Sequence, residues 1–157
     1  MDVILIAAIT QDGFIAHNSN ELITWSRDLT LFKNQTMGYP VIMGSNTYNT
    51  IENELKGRDI IIFNRHKKPI NILNNLSSDK CFIAGGGKTN AYFAPYLTRI
   101  FLTPHPIVFG TGIKLFDGKI KEKNLFLENT VTVNACLLYT SDAADDTPCV
   151  DLGGRRI

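Results

Sequence analysis

The chain has 157 residues, 44% of them hydrophobic and 20% charged, enough apolar content for one domain with a substantial core. Sixteen Lys and Arg against fifteen Asp and Glu leave a net charge near +1, which excludes a strong overall field drawing the chain to nucleic acid or a membrane surface. The opening MDVILIAAITQDGFIA is acidic at its second position and its apolar run is too short to span a bilayer, so the expectation is a cytoplasmic protein with a small-molecule partner, monomeric or homodimeric.

In chain order, VILIAAI (3–9), VIM (41–43), DIIIF (59–63), CFIA (81–84) and IFLT (100–103) are near-continuous apolar runs, the pattern of strands covered on both faces. Helix-like stretches lie between them: SRDLTLFKNQT, NTYNTIENEL and KTNAYFAPYL. Strands alternating with crossovers predict an α/β fold, a single domain whose central, mostly parallel sheet is flanked by helices. Such sheets bind ligands at the carboxyl ends of their strands.

The text changes character from Cys136. The segment CLLYTSDAADDTPCVDLGGRRI (136–157) resembles a translated sequencing adapter and is set aside from fold reasoning, leaving 1–135 as the domain and an edge of its sheet expected to lack a closing strand. A genuine disordered tail is the rival reading. Cys81, Cys136 and Cys149 show neither paired spacing nor a His cluster, so no metal site and no disulfide framework is expected.

At the strand ends, Ala84, Gly85, Gly86 and Gly87 lead into Lys88 and Thr89. Three successive residues without Cβ let the backbone approach a phosphate at a helix start, although a plain turn would use the same residues. Gly44, Ser45, Asn46 and Thr47 repeat the arrangement after VIM, with a simple helix cap as the alternative for Ser45 or Thr47. Asn64 and Arg65, followed by His66, Lys67 and Lys68, form a basic cluster suited to an extra phosphate or, equally, a solvated turn. In WSRDLTLFKNQT, helical spacing puts Asp28 on the side of Leu31 and Phe32. With Ser26 as N-cap, Asp28 would fall in the first turn, where the helix dipole favours an acid; the other reading turns it into a pocket.

Taken together, the order of these segments over about residues 1–118 resembles the dihydrofolate reductase family: a strand like LIAA, a loop, a Trp, an acid followed by x3-Phe-x3-Thr (Asp28, Phe32, Thr36), PVIMGSNTY, and the glycine-rich IAGGGK. The resemblance implies NADPH-dependent reduction of 7,8-dihydrofolate to tetrahydrofolate. It implies that Asp28 grips the pterin, with Thr103 steadying it from behind and Trp25 helping to order a water. Ile6, Ala8 and Phe32 would line the substrate pocket, Ala8 and Ile15 would wall the nicotinamide, and the Arg58 fork would hold the glutamate carboxylate of folate. Gly44, Ser45, Asn46, Thr47, Asn64, Arg65 and the segment Ala84 to Thr89 would hold NADPH, while QDGFIAHNSNEL would serve as a lid. Two features depart from the family: its usual Pro-Trp is Thr24-Trp25 here, and only Ser26 and Arg27 separate that Trp from the acid. TPHPIVFGTGIKLF is similar to the reductase domain of riboflavin biosynthesis, so a phosphorylated aminopyrimidine is the alternative substrate, and a nucleotide-binding module without turnover is a third reading. His17, His66 and His105 fall on loop-like segments with no nucleophile nearby and are not expected to be catalytic.

Overall fold

In the computed structural model, residues 1–133 are described. The boundary expected at 135/136, together with Cys136, Cys149 and the adapter-like segment, lies outside them. Five strands, β1 (Asp2–Thr10), β3 (Pro40–Gly44), β4 (Asp59–Phe63), β5 (Lys80–Ile83) and β6 (Arg99–His105), form one parallel sheet in the order β4-β3-β5-β1-β6. The expected α/β fold is therefore present, with its strands where the apolar runs lie. A short antiparallel ribbon joins β2 (Phe14–Ala16) to β7 (Ile113–Lys114).

Four helices cover the sheet: α1 (Leu29–Thr36), α2 (Ser45–Ile51), α3 (Pro69–Asn74) and α4 (Gly87–Phe93). Alternation along β1 decides what each face buries. Val3 and Leu5 pack with Ile42, Phe63, Leu73 and Phe93, on the side of α3 and α4. Ile4 and Ile6 pack with Val41, Met43, Leu55 and Phe82, on the side that receives Phe32 of α1 and Tyr48 and Ile51 of α2. With both faces covered, the strands need apolar residues at every position, which is why they read as runs.

Two local expectations are corrected. Ser26 is not the N-cap of the first helix: Asp28 occupies that position and α1 starts one residue later, so Asp28 does not sit in the first turn. The helices α2 and α4 are shorter than the patterns NTYNTIENEL and KTNAYFAPYL and finish in 3-10 turns at Glu52–Glu54 and Ala94–Tyr96, the latter containing Pro95, whose missing N–H suits the start of a turn but not a helix interior. Among the described residues β6 pairs with β1 alone; the closing strand expected to be missing after residue 135 falls outside them.

Candidate active site

The carboxyl ends of β1, β3, β4 and β5 open onto a cavity of about 1110 Å³, and it collects residues from widely separated segments. Asp28 forms part of its wall although only 7% of the residue is exposed. Phe32 lies one helical turn further on, with Ile6 and Ala8 from β1 and Ile15 from β2 in the same lining. Ser26 donates its hydroxyl hydrogen to Asp28 Oδ1, fixing one carboxylate oxygen. This is the local reason for the shifted helix start: the Ser26 hydroxyl serves the Asp28 side chain rather than the helix N–H groups.

Across the cavity stand Gly44, Ser45, Asn46 and Thr47 at the start of α2, Asn64 and Arg65 after β4, and Ala84, Gly85, Gly86, Gly87, Lys88 and Thr89 at the start of α4. Gly44 N donates to Gly85 O at 2.9 Å, tying the two turns together. The approach is so close that a Cβ on Gly44 would stand 2.9 Å from Thr89 Oγ1. Gly85 has φ near +92°, a conformation that glycine adopts freely. Bare backbone facing a large cavity, rimmed by hydroxyls and by the charges of Arg65 and Lys88, fits the diphosphate and ribose of a dinucleotide.

Arg58 lies in a smaller cleft of about 100 Å³ formed with Leu29, Thr30, Phe32, Lys33 and Glu54. Its Nε donates to Thr36 Oγ1 at 2.8 Å, and Nη1 donates to the Glu54 carbonyl. Nη2 is covered and has no partner among the described residues. Desolvation lowers the Arg58 pKa, against the attraction of Glu54, yet an arginine remains charged at physiological pH. The Thr36 hydroxyl is used twice, since it also donates to Phe32 O at 2.7 Å, so the acid-x3-Phe-x3-Thr spacing links the pocket helix to the arginine.

Besides Arg58, which lines only the smaller cleft, the expected site residues Trp25 and Thr103 stand outside the lining of either cavity. No hydrogen bond joins Thr103 to Asp28 among the described residues; the Thr103 carbonyl instead accepts from His105 Nδ1 at 2.8 Å. Trp25 packs edge-on against His105 and Phe109, with ring centroids 5.1 and 5.3 Å apart, and its Nε1 is buried without a partner among the described residues. Lys67 and Lys68, the last of the basic cluster, are exposed and also outside the lining, whereas His66 is within it.

Sequence reasoning missed Asn90, Ile51, Asp117 and Lys119, which also line the cavity. Asn90 is fully buried, with Nδ2 donating to Leu115 O at 2.8 Å. The Pro106 to Phe116 stretch folds over α4: a Cβ on Gly87 would lie 2.4 Å from Lys114 O, and one on Gly112 would lie 2.4 Å from Ala16 O. Within the stretch Gly112 is thus required by close packing and Gly110 by a positive φ of +79°, and neither requires a phosphorylated pyrimidine.

Among the described residues no group of His, Cys, Asp or Glu could hold a metal ion, and no helix is long and apolar enough to cross a membrane. Cys81 lies in β5 with its side chain buried in the core, and burial pushes its thiol pKa up to about 11, which makes it an inert core residue.

The family profile described as dihydrofolate reductase matches residues 2–108, the span that supplies most of this site. The chain belongs to the dihydrofolate reductase family. It is 30% identical over 117 residues to dihydrofolate reductase type 3 of Salmonella typhimurium, an alignment covering 66% of this chain and 71% of that relative. The reaction that goes with the dihydrofolate reductase family is reduction of dihydrofolate to tetrahydrofolate, and the chain is an oxidoreductase of that type. The match favours folate over the phosphorylated aminopyrimidine as substrate class.

Proposed function

We propose that the large cavity is where this chain reduces 7,8-dihydrofolate, with NADPH as its cofactor. The observation that carries the reading is the position of Asp28, a nearly buried carboxylate beside Phe32 on one wall, opposite a glycine-rich rim suited to a dinucleotide. A flat heterocycle bearing adjacent N–H donors would be held by both Asp28 oxygens, since an ionised carboxylate is an acceptor at each of them. Phe32 would cover the face of that ring, with Ile6 and Ala8 beneath it. Arg58, which lines the smaller cleft beside Leu29, Thr30 and Lys33 of α1, would offer its guanidinium to the glutamate carboxylate of folate.

On the other side, Ser45, Asn46, Thr47 and Thr89 offer hydroxyls and an amide to the cofactor, and Gly44 with Gly85 to Gly87 lets the chain come close to its phosphates. Asn64 and Arg65 would take an additional ribose phosphate, the feature that separates NADPH from NADH. When bound, NADPH supplies the hydride. The chain contributes orientation: Ile15 and Ala8 wall the reacting end, and the segment from Gln11 to Leu22 covers it and excludes water. Asp28 fixes the pterin and orders the proton delivered to it. Trp25 and Thr103 act at one remove, behind the wall rather than on the substrate.

The test is direct: the full chain is mixed with NADPH and dihydrofolate, and the loss of reduced-nicotinamide absorbance is followed, with a second reaction containing the phosphorylated aminopyrimidine. Consumption with dihydrofolate alone supports the proposal. Consumption with the pyrimidine alone, or binding of NADPH with turnover of neither, sinks it.

A further inference from the structure

Residues 22–28 cross from the lid to α1 without regular structure, and among the described residues one hydrogen bond connects them to the sheet. That bond runs from Arg27 N to Nε2 of His105, at 2.9 Å. The other ring nitrogen, Nδ1, donates to Thr103 O at 2.8 Å, and His105 is only 1% exposed. A donor facing one nitrogen and an acceptor facing the other leave a single compatible state, the neutral ring with its proton on Nδ1. The ring is further clamped by the edge-on Trp25 and, behind it, by Phe109, whose N–H is held at 3.1 Å by Asp12. Arg27 immediately precedes Asp28, so whatever fixes the Arg27 peptide fixes where the carboxylate stands.

From this geometry we propose that His105 is a positioning residue: its imidazole bolts the lead-in of α1 to β6 and so holds the Asp28 carboxylate at the cavity wall in the orientation that receives the pterin. The inference rests on the folate reading above. A carboxylate gripping two N–H groups tolerates displacement of only about half an ångström before both bonds degrade, and among the described residues no other hydrogen bond to the sheet restrains this stretch. Protonation of Nε2 would set two N–H donors against each other and release the bolt. Desolvation lowers the His105 pKa and Arg27 works in the same direction, while the Thr103 carbonyl and the Asp28 charge oppose them, so the neutral form is the one present at physiological pH.

Two substitutions test the idea through the equilibrium affinity of the cofactor-free full chain for dihydrofolate, read by titration. His105→Leu keeps bulk but removes both bonds, and weakens dihydrofolate binding about tenfold, the scale of one lost buried hydrogen bond. His105→Gln can still accept from Arg27 and donate to Thr103, and stays near wild type. NADPH affinity, read from nicotinamide fluorescence, is unchanged in both. In the wild-type chain dihydrofolate affinity falls in acid as His105 titrates, and in His105→Gln that component is absent. If His105→Leu does not fold, the pH profile of His105→Gln decides alone. Unchanged binding by His105→Leu, equal losses in both variants, or an acid component surviving in His105→Gln overturns the positioning role. A wild-type chain that binds NADPH but never oxidises it with dihydrofolate overturns the folate reading and this inference with it; an active wild type with an indifferent His105 overturns the inference alone.

Discussion

The Arg58 guanidinium lies over the Phe32 ring, with Cζ 5.4 Å from the ring centroid. A planar cation stacked on an aromatic face, with Nε on Thr36 and Nη1 on Glu54, is oriented before any ligand arrives. Such preorganisation is what a bidentate carboxylate contact needs, and a lysine lacks it. Arg58→Lys is therefore expected to raise KM for dihydrofolate about 30-fold, corresponding to about 2 kcal/mol for a lost charge-assisted contact. The NADPH dissociation constant should stay within a factor of about two, since Arg58 lies outside the large cavity. Steady-state kinetics against a folate analogue lacking the glutamate give the control: there the variant and wild type should coincide.

Asp28 is tested by an almost isosteric change. Asp28→Asn keeps the shape and still accepts from Ser26, but it replaces one acceptor oxygen by a donor and removes the charge. A reduction of kcat/KM for dihydrofolate by about a hundredfold or more is expected, the scale of losing a group that assists proton delivery. NADPH binding should persist. Thermal stability should not fall, because the amide keeps the shape of the side chain and the bond from Ser26. A variant that retains wild-type kcat/KM would remove Asp28 from the mechanism.

Much of this was legible in the sequence, for identifiable reasons. Ile4, Leu5, Val41, Ile42 and Ile83 are buried on both faces of a parallel sheet, and such strands leave unbroken apolar runs. The glycine segments were visible because the close approaches at Gly44 and Gly87 admit no Cβ. The strands β2 and β7 were not visible, since three and two residues are too few to show a period. The helix α3 was missed because Asn71 and Asn74 dilute its apolar face; its one signal was Pro69 at the first turn. The start of α1 was misplaced because Ser26 and Asp28 both have good capping chemistry, and the residue types alone do not say that the Ser26 hydroxyl serves the Asp28 carboxylate. His105 looked like a loop residue for a different reason: nothing in local sequence links it to Arg27, 78 positions away.

The two close-packed glycines should respond differently to alanine. At Gly87 the new Cβ would meet backbone, Lys114 O at 2.4 Å, together with Asp117 Cβ at 2.8 Å. The Ile113 to Gly118 segment would have to lift from α4, breaking the bond from Asp117 N to Gly87 O at 3.0 Å. Gly87→Ala should cost about 1–3 kcal/mol, as overpacking does, and weaken NADPH binding as that wall moves. At Gly44 the obstacle is one side-chain atom, Thr89 Oγ1 at 2.9 Å, so Gly44→Ala should lower the melting temperature less. Thermal unfolding of the two variants, with and without NADPH, measures both effects; equal melting temperatures would contradict the packing account.

Asp12 gives a pH prediction whose sign is fixed by its surroundings. Oδ1 accepts from Thr10 Oγ1 at 2.7 Å and Phe109 N at 3.1 Å, and Oδ2 accepts from Gly110 N at 2.7 Å, so this carboxylate pins the loop after β6 to the end of β1. Desolvation pushes its pKa up, but the hydrogen bonds from Thr10, Gly110 and Phe109 together outweigh it and leave the folded value below the ordinary one. A depressed folded pKa means that the unfolded chain binds more protons. The stability Asp12 contributes is therefore fully present above the unfolded carboxylate pKa of about 4 and is lost as pH falls through the folded value. Asp12→Asn should melt below wild type at neutral pH, because its amide nitrogen cannot accept one of these bonds, and the gap should close as the pH is taken below about 4. The same loop carries Phe109, which stacks on His17 with ring centroids 3.7 Å apart, so the lid is secured through Asp12 as well. Substrate affinity in Asp12→Asn should consequently fall together with stability, and a gap in melting temperature that widens in acid would refute the assigned role.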